Sequence, residues 1–280
     1  MRAGPGKGSG VKLSGRTAVV TGAASGIGRG TALALAKRGC NLALADLNDE
    51  GLAETAALAE AHGVKATRHR LDVADKEAVA AFPADILIAH GRADLLFNNA
   101  GVAIGGTFEQ IAEEDFDWLM EINFWGVVRM TRAFLPLLRS SDHARIVNVS
   151  SIFGIIAPPG QTAYCASKFA VRAFSESLRR ELEAEGSKIG VTVVHPGGVN
   201  TSIAKNARPP RGINDPDLEA QQKRFEKFLR MPPEKAGEII VSGVERERPR
   251  VVVGNDARFM ALVERMAPVG YWKFLGRALK

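Results

Sequence analysis

The stretch VTGAASGIGRG, residues 20–30, places glycines at 22, 26 and 28 between an apolar run, RTAVVTG (16–22), and a segment of helical period reaching from Gly26 to about Arg38. A strand that turns on glycines into a helix lets backbone approach a pyrophosphate, which the helix N-terminus then holds. The spacing is G-x-x-x-G-x-G, not the commoner G-x-G-x-x-G, and a glycine-rich turn alone could be only a turn. Its position after the first strand is what favours a nucleotide. Asp46 closes a second apolar run, NLALAD (41–46), 18 residues beyond Gly28. A carboxylate there can accept hydrogen bonds from an adenosine ribose and would repel a phosphate, which favours NAD over NADP. The plainer reading of Asp46 is an acid capping the next helix. In LDV (71–73), after the third run, Asp72 and Val73 could flank an adenine.

Working outward, short runs rich in valine, isoleucine and leucine alternate with longer segments of helical period. The strands read as 16–22, 41–46, KATRHRLDV, ADLLFNNAG, ARIVNVSS, IGVTVVHPGG and RVVVG (250–254). Helices are expected between them, including long ones from about Glu114 to Arg139 and from about Gln161 to Glu185. Pro83 should break or kink the third helix. Strands that alternate with helices in this way argue an α/β fold, a doubly wound Rossmann-type parallel sheet of about seven strands with helices on both faces. Nothing resembles a linker, so residues 14–255 read as one domain. Residues 1–13 read as a flexible lead-in with no secretory signal, and 256–280 as a basic amphipathic extension. In such sheets ligands bind beyond the carboxyl ends of the strands.

Composition narrows the function. The 280 residues are 46% apolar and 24% charged, with no run that could span a bilayer. Two cysteines, Cys40 and Cys165, without metal spacing suit a reducing cytoplasm and imply no metal site. The net charge of +6 sits at the ends: residues 1–16 carry four basic and no acidic groups, and 246–280 carry eight and three. The body between them is slightly acidic, which argues against nucleic acid.

Tyr164 and Lys168, in AYCASKFAV (163–171), stand four apart and so share a helix face. A free phenol, with a pKa near about 10, accepts a proton poorly at neutral pH, and a neighbouring ammonium should lower that value. The pair then becomes a general acid/base unit, with the lysine's donors also free for ribose hydroxyls. Ser151, at the end of the fifth strand, can add a hydroxyl to a carbonyl oxygen. The plainer reading is a snorkelling lysine near a core tyrosine.

TGAASGIG (21–28), Asp46, LDV (71–73), NNAG (98–101), Asn123, Ser151, YCASK (164–168) and HPGGVNT (195–201) resemble, in order and spacing, the short-chain dehydrogenase/reductase family in its compact single-domain branch, over about residues 14–255. The resemblance implies that Tyr164 moves the proton at the substrate oxygen. Lys168 would lower its pKa and hold the nicotinamide ribose, and Ser151, ahead of Ser150, would hydrogen-bond the substrate. Asn123 would help hold Lys168 and a relay water. Gly22, Ser25, Gly26, Ile27, Gly28, Asp46, Asp72, Val73, Asn99, Ala100, Gly101, Pro196, Gly197, Val199 and Thr201 would border the cofactor. His195 is expected to be a packed histidine. The implied activity is NAD-dependent hydride transfer between nicotinamide and a secondary alcohol or ketone, by a homodimer or homotetramer built through the two long helices. The alternatives are an NADP-dependent carbonyl reductase, a dinucleotide-binding protein without catalysis, and a Ser/Lys hydrolase using Ser151.

The substrate must be read from the segments the resemblance leaves open. Phe153, Ile155 and Ile156 could form an apolar wall. Residues 202–233 could form a lid, with Leu218, Phe225, Phe228 and Leu229 on one face and Arg208 or Arg211 meeting an acidic group. The extension 256–280 is expected to pack on the domain or another subunit, or to make peripheral membrane contact.

Overall fold

The computed structural model describes residues 11–209 and 229–278. The sequence-expected lead-in lies mostly outside these residues, as do Arg211, Leu218, Phe225 and Phe228 of the expected lid. Seven parallel strands form one sheet in the order β3-β2-β1-β4-β5-β6-β7. They are β1 (Thr17–Thr21), β2 (Asn41–Asp46), β3 (Ala66–Arg70), β4 (Leu95–Asn98), β5 (Ala144–Val149), β6 (Ile189–Pro196) and β7 (Arg250–Val253). β1, β4 and β5 are buried at every position, which is why they read as unbroken apolar runs and not as alternating ones.

Alternate residues of each strand feed the two layers. Ala18 and Val20 pack with α1 (Gly26–Ala36), α2 (Asp49–Glu60) and α8 (Pro233–Glu245) on one face. Val19 packs on the other, with Phe82 of α3 (Lys76–His90), Phe134 of α5 (Gly126–Arg139) and Leu182 of α6 (Thr162–Ala184). The chain crosses the sheet between β3 and β4, so strand order reverses at β1 and β4. Their carboxyl ends diverge there and leave the crevice in which such sheets bind ligands.

Two helices depart from expectation. α3 runs unbroken through Pro83, because buried Val79, Phe82 and Ile86 hold it to the sheet despite the lost N–H. The long helix expected from Glu114 is instead α4 (Glu113–Met120), a π-helical turn at Glu121–Trp125 and α5. After β6 comes the single turn α7 (Ser202–Lys205), and beyond β7 the extension forms α9 (Asn255–Met266) and α10 (Tyr271–Ala278).

Candidate active site

The β1–α1 turn closes because glycine permits it. Gly22 has φ +65°, and a Cβ on it would stand 2.8 Å from Asn99 Nδ2 and 2.9 Å from Ala100 Cα. A Cβ on Gly28 would run into the Gly22 carbonyl. Helix α1 then begins behind Ser25, whose side chain makes no capping bond, leaving its first-turn N–H groups at the crevice. Ser25 Oγ lies 3.3 Å from Ser202 Oγ, and the Thr201 side chain is 3.2 Å from the Cβ position of Gly26. The segment after β6 thus abuts the glycine loop. Ile27 is half-buried against the α1 layer.

Asp46 is held in place by two backbone donors, Ala24 N–H at 3.0 Å and Asn48 N–H at 3.1 Å. It does not cap α2, because Asn48 does, accepting from Gly51 N–H. Asp72 turns the chain by accepting from Ala74 N–H at 2.9 Å, and Val73 is buried against the start of α5. The NNAG loop is pinned by a residue to which sequence reasoning gave no role of its own: Thr21 Oγ1 accepts the N–H groups of Asn99 and Ala100, both at 3.0 Å. The threonine preceding the first motif glycine was the available signal. Across the crevice Pro196 ends β6, Gly197 N–H bonds the Val253 carbonyl at 2.9 Å, and Val199 is buried and bridged to Met231.

The catalytic candidates meet at the carboxyl ends of β4 and β5. The Ser151 hydroxyl oxygen accepts the Phe153 N–H at 3.1 Å and stands near enough to the Tyr164 phenol to lower its pKa, whereas Ser150 Oγ donates to the Lys168 carbonyl at 2.8 Å and is structural. Lys168 is buried, with Nζ 3.2 Å from the Val149 carbonyl and 5.5 Å from the Tyr164 ring centre. A Cβ on Gly101 would come 3.4 Å from that Nζ and 3.1 Å from Asn123 Oδ1. Asn123 sits fully buried in the π-helical turn and grips Val102 at both ends, accepting its N–H at 2.8 Å and donating to its carbonyl at 2.9 Å. Its amide also donates to Ser167 Oγ at 3.2 Å. It therefore braces the loop around Lys168 and makes no direct bond to the ammonium.

The electrostatics correct one expectation. Burial pushes the Tyr164 phenol up to about 12, only partly opposed by the Ser151 hydroxyl. Lys168 was expected to lower it, but its own burial pushes that ammonium down to about 8 and Nζ turns to a carbonyl. His195 is buried, and Nδ1–H donates to the Ser151 carbonyl at 2.9 Å; burial drives its pKa down to about 3, so it is neutral. Cys165 is packed, its Sγ 4.0 Å from the Ile156 carbonyl.

The flank differs from the expected apolar wall. Only Phe153 meets the tyrosine, edge to face at 6.2 Å between ring centres. Ile155 and Ile156 are buried with Ala257 and Leu275 under α9 and α10. Arg208 is engaged within the chain: it bonds the buried Asp115 at 2.8 Å and lies 3.6 Å over the Trp118 ring.

A dinucleotide cradle beside a Ser-Tyr-Lys cluster, on this strand order, defines an oxidoreductase of the doubly wound class. The family model for short chain dehydrogenase matches residues 16–212, and the chain belongs to that family. The chain is 43% identical over 265 residues to the putative oxidoreductase SadH of Mycobacterium tuberculosis, covering 94% of this chain and 95% of that protein. It is 36% identical over 254 residues to the probable oxidoreductase EphD of the same species, covering 89% of this chain and 43% of the relative. Among solved structures, a short chain dehydrogenase/reductase from Burkholderia phymatum in complex with NAD superposes with a TM-score of 0.85 at 28% identity, covering 91% of this chain and 95% of the other.

Proposed function

We propose that this oxidoreductase is NAD-dependent and interconverts a secondary alcohol and a ketone of apolar character. The observation that carries the reading is the Ser151 hydroxyl beside the Tyr164 phenol, with Lys168 buried on the next helical turn, its Nζ 5.5 Å from the tyrosine ring centre. The residues fit a dinucleotide: the glycine turn leaves the α1 N–H groups for a diphosphate, and Asp46 stands as a fixed carboxylate at the end of β2. The NAD complex of the Burkholderia relative supports the same choice. A 2′-phosphate beside Asp46 would meet like charge, which disfavours NADP.

A nicotinamide held there would supply the hydride chemistry. The chain's own residues do the rest. Ser151 donates to the substrate oxygen and fixes it beside the phenol. Tyr164, protonated at neutral pH, delivers its proton to a ketone oxygen; in the reverse direction it must first lose that proton. Lys168 offers its donors to the ribose, and Asn123 holds the loop on which that contact depends. Residues 14–255 would form the catalytic domain, in a reducing compartment such as the cytoplasm that suits two buried free cysteines. Half-exposed Trp125 and Phe169, beside and on α5 and α6, support a homodimer or homotetramer formed through those helices.

Absorbance at the NADH band, screened over apolar secondary alcohols and ketones with both cofactors, tests the reading. Turnover with NAD well above that with NADP is expected, and Asp46→Ala should narrow the gap. Equal turnover with both cofactors in the unaltered chain would remove the role given to Asp46.

A further inference from the structure

The extension has two unlike faces. Inward, Ala257 and Leu275 are buried with Ile152, Ile155 and Ile156, and the Tyr271 hydroxyl oxygen accepts the Ala157 N–H at 2.8 Å. Outward, Phe259, Leu262 and Met266 are 55–77% exposed and recur at i, i+3 and i+7, so they form one stripe along α9. Val269, 95% exposed, continues beyond the helix end. Single exposed apolar residues need no explanation, but a row of large ones does.

Charge separates the possible occupants. Arg258 and Arg265 are exposed and share a row bordering Leu262. Of the acids of α9, Asp256 stands exposed one turn before Phe259 but is engaged, accepting the Gly198 N–H at 2.6 Å, and Glu264 lies on the opposite side, where it acts on Arg250 of β7. The outward face of α9 is therefore apolar; among the described residues, two unpaired cations run along one border and only the engaged Asp256 of this helix stands on the other. A second copy seated about a two-fold axis would bring the same patch against itself and set arginine against arginine. An anionic lipid layer answers both features at once.

We propose that the outward face of α9 is a peripheral docking surface for anionic membranes. Phe259, Leu262 and Met266 enter the headgroup–acyl boundary, while Arg258 and Arg265 meet lipid phosphates. Contact stays at the surface, since among the described residues no helix is long and apolar enough to cross a membrane. Because the inner face of the extension packs on the segment directly after Ser151, docking holds the candidate site close to the bilayer. The docking itself does not depend on the reaction proposed above.

Sedimentation of the full chain with vesicles of phosphatidylcholine containing about one-third phosphatidylglycerol tests it, with pure phosphatidylcholine as the control. The chain should pellet with the anionic vesicles and be released by high salt. Arg258→Gln with Arg265→Gln should weaken partition about tenfold or more. Leu262→Ser with Met266→Ser should abolish it, with the melting temperature and turnover of a water-soluble alcohol unchanged. A chain that stays in the supernatant overturns the proposal, as does a serine variant that still pellets. A wild-type particle mass that halves in the serine variant, without vesicle binding, would assign the face to a second copy instead.

Discussion

At the amino ends of the strands, Asp94 is fully buried and surrounded by donors: Thr17 N–H at 2.9 Å, the Ser141 hydroxyl at 2.6 Å and Arg92 Nε at 2.8 Å, with Arg16 at 3.4 Å. At the carboxyl ends Lys168 is also buried, yet its Nζ meets one carbonyl, and it forms no ion pair among the described residues. The same sheet therefore holds a satisfied charge at one end and an uncompensated one at the other. Burying an ion without a counter-ion costs stability, and proteins keep such groups where a ligand or reaction uses them. The amino edge ties the strands together, and the carboxyl edge is held ready for another molecule.

Three substitutions would break that contrast. The largest effect is expected from Tyr164→Phe, which removes the proton carrier and little else. Turnover at the NADH band should fall by about 10²–10⁴-fold, with thermal unfolding near that of the parent. A variant turning over at the parental rate would end the mechanism. Next, Asp94→Ala leaves Arg92, Thr17 N–H and Ser141 without their acceptor, so urea unfolding should show a loss of about 3–5 kcal/mol. Molecules that remain folded should keep their turnover, since no candidate site residue touches Asp94. The third substitution has the opposite sign. Lys168→Met, without dinucleotide, should gain about 1–3 kcal/mol of stability while losing activity. Destabilisation by this change would show that the ammonium is compensated after all.

Legibility in the sequence followed how local each cause is. The glycine turn, Asp46, Ser151, Tyr164 and Lys168 could be placed because each depends on a strand end or a helical repeat a few residues long. The parallel sheet was readable for the same reason, from continuous apolar runs with helices between them. Asn123 was picked out, but its setting was not: a π-helical turn inside a segment of regular helical period leaves no local mark. Arg208 read as a cation for an acidic substrate group because its partners, Asp115 and Trp118, lie about ninety residues away along the chain. Ile155 and Ile156 read as a pocket wall because nothing nearby says that α9 and α10 will cover them. The rise of the Tyr164 pKa was missed because its main cause is burial, a property of the whole fold that no neighbouring residue announces.

The smallest effect sharpens the comparison most, because it isolates the lysine. In the folded chain the Lys168 pKa is lowered from 10.5 to about 8, so between those values the unfolded chain binds more protons. Stability from this group must therefore rise with pH across that window, the penalty being complete below about pH 8 and gone near 10.5. Tyr164 acts in the reverse sense, but higher: raised from 10 to about 12, it loses stability only as pH climbs through that range. Between pH 8 and 10 the lysine alone of the two should respond. The advantage of Lys168→Met in melting temperature should then shrink steadily from pH 7.5 to pH 10, a change of a few degrees at most. Asp94→Ala, measured beside it, should show no matching trend, because its carboxylate partners are arginines that stay charged throughout. A Lys168→Met advantage that holds constant over the same interval would mean that the buried amine keeps an ordinary pKa, and that the carboxyl edge is no less compensated than the amino edge.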